Sequence, residues 1–161
     1  MINSIVDSQL VKQVLAATKT IAMVGVSFVK EEKSSTNIKR RPSIIVMKYL
    51  QEFGYRVIPV NPFSEGKKIN NEIVIGKLED IKMPIDIVNV FRPSIETPIL
   101  AKQAVEIGAK VLWLQYGIQN KEAEKIVKSA NIAYVANKCI KQEYQKLFLK
   151  VNPVFPVLRT D

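Results

Sequence analysis

Five short apolar runs, at residues 20–26, 56–60, 85–91, 110–114 and 132–136, alternate with stretches of helical spacing along this chain. Each run is rich in β-branched residues and apolar at odd and even positions alike, the pattern of a strand covered on both faces. Such strands need a helical layer above and below. Alternating strand and helix segments of this length supply both layers through right-handed crossovers. The sequence therefore predicts an α/β fold with an open, mostly parallel sheet of about five strands, in the order 3-2-1-4-5, and helices on both faces. In such sheets the ligand crevice lies at the carboxyl ends of the strands, by the topological switch point.

The helix punctuation fits this reading. A helix within residues 1–19, about 7–18, carries Leu10, Val11, Val14 and Leu15 on one stripe. Pro42 suits the first turn of a helix bearing Ile44, Ile45, Met47 and Leu50, and Gly54 stands where its C′ residue belongs. Thr97 is expected to cap the next helix, with Pro98 after it and Gly108 closing it. Asn120 is expected to cap residues 121–130, ending near Asn131, with Glu124 and Lys128 as an exposed pair. Residues 69–75 and 77–81 read as a short turn of helix or a loop. Residues 141–149 read as a last helix before a proline-bearing tail, 150–161. There is no internal repeat or linker, so residues 1–161 are read as one domain.

Composition excludes several function classes. No run approaches the roughly 18 apolar residues that span a bilayer, and Met1-Ile2-Asn3-Ser4 lacks the start of a secretory signal. The single cysteine, Cys139, cannot form an internal disulfide, and a cytoplasmic home is expected. Its place beside Lys138 and Lys141 would favour a thiolate, but the simpler reading is a small, partly buried residue at a strand-to-helix junction. The chain has no histidine, which removes Ser–His and Cys–His nucleophile pairs, imidazole metal sites and phosphohistidine chemistry together. The net charge of +9 favours an anionic partner without choosing one.

If the sheet is right, five segments meet at one rim. Gly25, Val26 and Ser27 end the first strand, where two backbone N–H groups can face an anion; the alternative is a glycine serving only the tight turn. The first turn of the following helix, Pro42 and Ser43 behind Lys39, Arg40 and Arg41, adds a helix dipole and basic side chains. The second strand ends in Val60, Asn61 and Pro62 with no carboxylate before Glu65, which disfavours ordinary NAD binding. Val90, Phe91 and Arg92 end the third strand; Arg92 either reaches a phosphate or pairs with Asp86 or Glu96. Leu114, Gln115 and Gly117 end the fourth, with Trp113 read as core.

Taken in order, Ile21 to Ser27, Arg41-Pro42-Ser43, Tyr49 to Pro62, Asp86 to Arg92, Ile107 to Gln115 and Cys139 resemble the small single-domain CoA-binding proteins. These are relatives in fold of the N-terminal CoA-binding domain of the succinyl-CoA synthetase alpha subunit. The resemblance implies a Rossmann-like fold holding coenzyme A at the strand carboxyl ends. By that analogy Gly25, Val26 and Ser27 line a phosphate loop with Arg41 and Ser43 near the diphosphate. Val60, Asn61 and Pro62 then flank the adenine, and Phe91, Arg92, Gln115 and Gly117 the pantetheine arm. Two departures stand out. Residues 28–40 lengthen the loop before Arg41, either covering the diphosphate with Lys39 and Arg40 or blocking the site. Asn137-Lys138 replaces the Asp-Arg that usually precedes the cysteine.

The expected function is non-catalytic binding of coenzyme A or an acyl-CoA, with that small molecule as the partner and no membrane involved. The oligomeric state stays open between monomer and homodimer. One alternative is an acyl-CoA-metabolising enzyme or thioester-handling subunit, which the missing histidine and missing ATP-binding domain disfavour. Another is binding of a different nucleotide, or of nucleic acid by charge. For nucleic acid the basic stretch 30–41 offers only Phe28 beside it as a stacking platform.

Overall fold

In the computed structural model, which describes residues 2–27 and 42–150, the five apolar runs become one parallel sheet. Its strands are β1 (Thr20–Val24), β2 (Arg56–Val60), β5 (Ile87–Val90), β6 (Val111–Leu114) and β7 (Ala133–Val135). The helices are α1 (Ile2–Ala17), α2 (Pro42–Glu52), α3 (Thr97–Glu106), α4 (Lys121–Ser129) and α5 (Ile140–Tyr144), the last continued by a π-helical turn, Gln145–Leu149. The α/β class and the helices on both faces stand as the sequence predicts.

The strand order does not. The sheet runs β2-β1-β5-β6-β7, which is 2-1-3-4-5 for the five apolar runs rather than 3-2-1-4-5. The reason lies around residues 69–75, expected as a turn of helix or a loop. They fold into a two-stranded hairpin, β3 (Lys68–Ile69) and β4 (Glu72–Ile73), turned by Asn70 and Asn71, both at positive φ. Two successive positive φ values are what a tight hairpin turn demands, and asparagine tolerates them. The chain then lays Ile75 against the outer edge of β2. Its N–H donates to the Pro59 carbonyl and its carbonyl accepts from the Asn61 N–H, each at 2.9 Å. That edge is where the expected order puts the third apolar run, which instead pairs with the free side of β1, Ile21 opposite Ile87 through Val24 opposite Val90.

Alternation along the strands divides the core. Ile21, Met23, Ile87 and Trp113 face α1, α2 and α5, meeting Val11, Leu15, Met47, Leu50 and Ile140. Ala22, Val24, Val88, Leu112 and Leu114 face α3 and α4, where Ala101, Ala104, Ala123 and Val127 let the helices come close. Trp113 is fully buried, as expected, and its Nε1–H donates to the Lys138 carbonyl at 2.8 Å. On the first face Tyr144 sits among Tyr49, Phe53, Tyr55 and Phe148 at ring separations of 4.9–6.1 Å, fastening α5 over α2. The Tyr55 hydroxyl donates to the Leu15 carbonyl, and burial pushes its pKa up to about 12.

The caps hold with one correction. Asn120 Oδ1 accepts from the Ala123 N–H at 2.9 Å, and Gly54 and Gly108 take positive φ after their helices. Thr97 is the first residue of α3 rather than its cap, because a 3₁₀ turn at Ser94–Glu96 leads into the helix. Its hydroxyl donates backwards to the Ser94 carbonyl. No helix among the described residues is long and apolar enough to cross a membrane.

Candidate functional site

The carboxyl ends of β1, β2 and β5 and the start of α3 enclose a cleft of about 250 Å³. Val24 ends β1 with Gly25 after it, Val60 ends β2 with Asn61, Pro62 and Phe63 after it, and Arg92 and Glu96 close the cleft with Ile99 and Leu100. The chain leaves β1 for β2 on one side and then crosses back past β1 to β5 on the other, so the cleft sits at the switch point.

Gly25 is required there for two reasons. Its φ is +95°, a region L side chains rarely adopt. A β-carbon would also stand 2.9 Å from the Phe91 carbonyl oxygen and 2.9 Å from Arg92 Cδ. The close approach that the sequence suggested for a ligand is thus also an approach to the protein's own third strand end. Its N–H donates to the Val60 carbonyl at 2.9 Å, locking the turn to β2.

Arg92 takes the carboxylate partner that the sequence left as the alternative. Its Nε donates to Glu96 Oε2 at 2.6 Å and its Nη2 to Glu96 Oε1 at 2.9 Å, with both side chains 43% exposed. This two-point bond raises the arginine pKa and lowers that of the glutamate. Asp86, the other possible partner, lies at the opposite end of β5. There it accepts from the Lys19 and Thr20 N–H groups at 2.8 and 3.1 Å and pairs with Lys110 at 3.2 Å.

Asn61 lines the cleft with both ends of its amide engaged by backbone. Its Nδ2 donates to the Val26 carbonyl at 2.8 Å and its Oδ1 accepts from the Phe63 N–H at 2.9 Å. It therefore ties the end of β1 to the loop after β2. On the other side of Gly25, facing α2, the Ser27 N–H donates to the buried Ser43 Oγ at 3.4 Å, and Pro42 opens the helix. The turn after β1 thus meets the start of α2, a helix start with no acidic residue in its first turn, the kind of place that suits an anion. Lys39, Arg40 and Arg41 lie outside the described residues.

The remaining expected residues support the rim more than they line it. Val90 and Leu114 are fully buried beneath it. Phe91 packs into the core on the α2 face. Gln115 is buried, its Oε1 accepting from the Ile140 N–H at 3.1 Å, and the Gly117 N–H donates to Asn137 Oδ1 at 2.7 Å. Cys139 precedes α5, half-buried against the core on that face.

Sequence reasoning missed Phe63, Ile99 and Leu100 as cleft walls. Ile99 and Leu100 lie in the first turn of α3, where helical spacing alone does not tell a cleft wall from a core stripe. The signal available was Ile95 and Ile99 one turn apart at the amino end, and both are well exposed, at 85% and 63%. Asn89 was also passed over. It is fully buried in the middle of β5, between Met23 and Trp113, and neither polar atom of its amide finds a partner.

An open parallel α/β sheet with an apolar cleft at the carboxyl ends of its strands defines a Rossmann-like domain. The chain belongs to the CoA binding domain family, whose sequence pattern matches residues 19–145. It is similar to the uncharacterized protein YneT of Bacillus subtilis (strain 168), 36% identical over 132 residues that cover 81% of this chain and 89% of that protein. The solved structure of cell-free ID.343 from Thermus thermophilus is 36% identical with a TM-score of 0.75, covering 88% of this chain and 98% of its own. A hypothetical protein from Pyrococcus horikoshii OT3 is 36% identical with a TM-score of 0.76, the shares being 87% and 91%.

Proposed function

We propose that this protein binds coenzyme A or an acyl-CoA at the carboxyl edge of its sheet, as a cytoplasmic binding protein without catalysis of its own. The observation that carries the reading is the switch-point cleft, lying within the stretch that matches the CoA binding domain family. The residues fit such a ligand in kind. Coenzyme A joins phosphates to a long uncharged arm, and the rim joins the start of α2, free of acidic residues in its first turn, to an apolar cleft beyond Gly25. The cleft is smaller than the roughly 300–1,000 Å³ of pockets that enclose a drug-sized molecule. It would hold one segment of the cofactor, the rest lying along the rim.

The non-catalytic part rests on the absence of histidine from the sequence and on the engagement with Arg92 of Glu96, the one carboxylate lining the cleft among the described residues. Titration calorimetry with coenzyme A, acetyl-CoA and NADH tests the binding. Saturable heat is expected with the first two and much weaker heat with NADH. No heat from either thioester-forming ligand at millimolar concentration would remove the proposal. Release of free coenzyme A from a panel of acyl-CoAs would instead return the protein to the enzymes.

A further inference from the structure

Among the described residues the cleft has two charged side chains on its wall, and they cancel. Arg92 and Glu96 meet through two hydrogen bonds, of 2.6 and 2.9 Å, so the guanidinium fork already has the planar partner it would otherwise offer to a phosphate. The arginine stem is confined as well, since a β-carbon on Gly25 would lie 3.2 Å from its Cγ and 2.9 Å from its Cδ. An anion entering the cleft therefore meets a carboxylate in the same fork, where like charges repel. The surroundings of Glu96 are apolar: Ile95 and Ile99 flank it at 85% and 63% exposure, and Phe63 across the mouth is 88% exposed. The other side of Gly25 differs. Ser27 and Ser43 stand at the start of α2, which has no acidic residue in its first turn.

We infer that Glu96 sets the charge preference of the site: by holding Arg92 in a two-point pair, it reserves the cleft for an uncharged segment of the ligand and turns phosphates toward the Ser27–Ser43 side. Arg92 then serves as the counter-ion of Glu96 and not as a phosphate ligand. The inference takes its ligand from the coenzyme A reading, but the charge preference belongs to the cleft itself.

Four proteins test it by calorimetry at low ionic strength: the native chain, Glu96→Gln, Arg92→Gln and the double variant, each titrated with coenzyme A and with inorganic diphosphate. Glu96→Gln frees the guanidinium and should tighten diphosphate binding about tenfold or more, the worth of a new charge-assisted bond. That gain should vanish in the double variant. Arg92→Gln leaves a bare carboxylate and should weaken coenzyme A about tenfold, whereas the double variant, neutral again, should recover most of that loss. A gain in binding cannot come from misfolding, so Glu96→Gln remains decisive even where Arg92→Gln is unstable. If the double variant binds coenzyme A as poorly as Arg92→Gln, Arg92 touches an anionic group directly and the inference is overturned. Equal diphosphate affinity in the native chain and Glu96→Gln overturns it too. Should the native chain ignore coenzyme A, the functional reading fails, and the diphosphate arm alone decides the charge preference.

Discussion

Gly25 and Gly54 share a φ of +95° and differ in what surrounds them, which makes them a matched pair for measuring how tightly the rim is built. An alanine at Gly54 has nothing within 4 Å of its new methyl. It meets only the left-handed backbone cost, about 1–2 kcal/mol, partly offset by about 0.4–1 kcal/mol of lost freedom in the unfolded chain. At Gly25 the same methyl meets the Phe91 carbonyl oxygen at 2.9 Å. That oxygen is backbone, and its strand is held by the Phe91 N–H donating to the Val24 carbonyl at 2.8 Å. Relief requires moving β5 from β1 or pushing Arg92 into the cleft, which adds about 1–3 kcal/mol of overpacking. Gly54→Ala should thus cost about 1 kcal/mol and Gly25→Ala about 2–4 kcal/mol. Urea unfolding followed by fluorescence of the buried Trp113, the single tryptophan, measures both. Gly25→Ala should also weaken coenzyme A, while Gly54→Ala should not. Stability losses that agree within about 0.5 kcal/mol would refute the claim that Gly25 is pinned against the third strand end.

Asp86 should matter for stability and not for binding. Burial disfavours its charge, but two backbone N–H groups and Lys110 win and hold its pKa below the usual carboxylate value. A depressed folded-state pKa adds stability above the unfolded value near 4, lost as pH falls through the folded one. Asp86→Asn should therefore cost about 1–2 kcal/mol at pH 7 and flatten the acid limb of a stability–pH curve, with coenzyme A affinity unchanged. Asn120→Ala removes the cap of α4 and the Nδ2–H donated to the Ser94 carbonyl at 3.0 Å, and a loss of about 1–2 kcal/mol in denaturant unfolding is expected. Asn61→Ala cuts the tie from the loop after β2 to the Val26 carbonyl. It should weaken coenzyme A by calorimetry more than it lowers the melting temperature, because the freed segment is the rim itself.

The fold class was legible because burial on both faces writes itself into every position of a strand. Ile21, Ala22, Met23 and Val24 are all apolar, although they serve two different cores. Helix ends were legible wherever one residue carries the geometry, as at Asn120, Gly54 and Gly108. Strand order was not, because it depended on a single pairing of Ile75 with the edge of β2. One pairing leaves no periodic trace, and the Asn70-Asn71 turn that brings it about is only two residues long. The third run was free to take either edge, and the hairpin decided which.

The site was legible as a place more than as a set of contacts. Gly25, Val60, Asn61, Pro62 and Arg92 do share one cleft, since position at a strand's carboxyl end follows from topology. What each polar side chain does there depends on which partner reaches it first, and nearby partners win. Asn61 is taken by Val26 and Phe63, Arg92 by Glu96 one turn ahead, and Gln115 by Ile140. Satisfying these groups internally leaves the polar side chains of the described rim already paired before any ligand arrives. A polyanion must then find its donors among backbone N–H groups and the start of α2 rather than among these side chains. This is why the charge balance at Glu96, and not the count of basic residues, is the quantity to vary first.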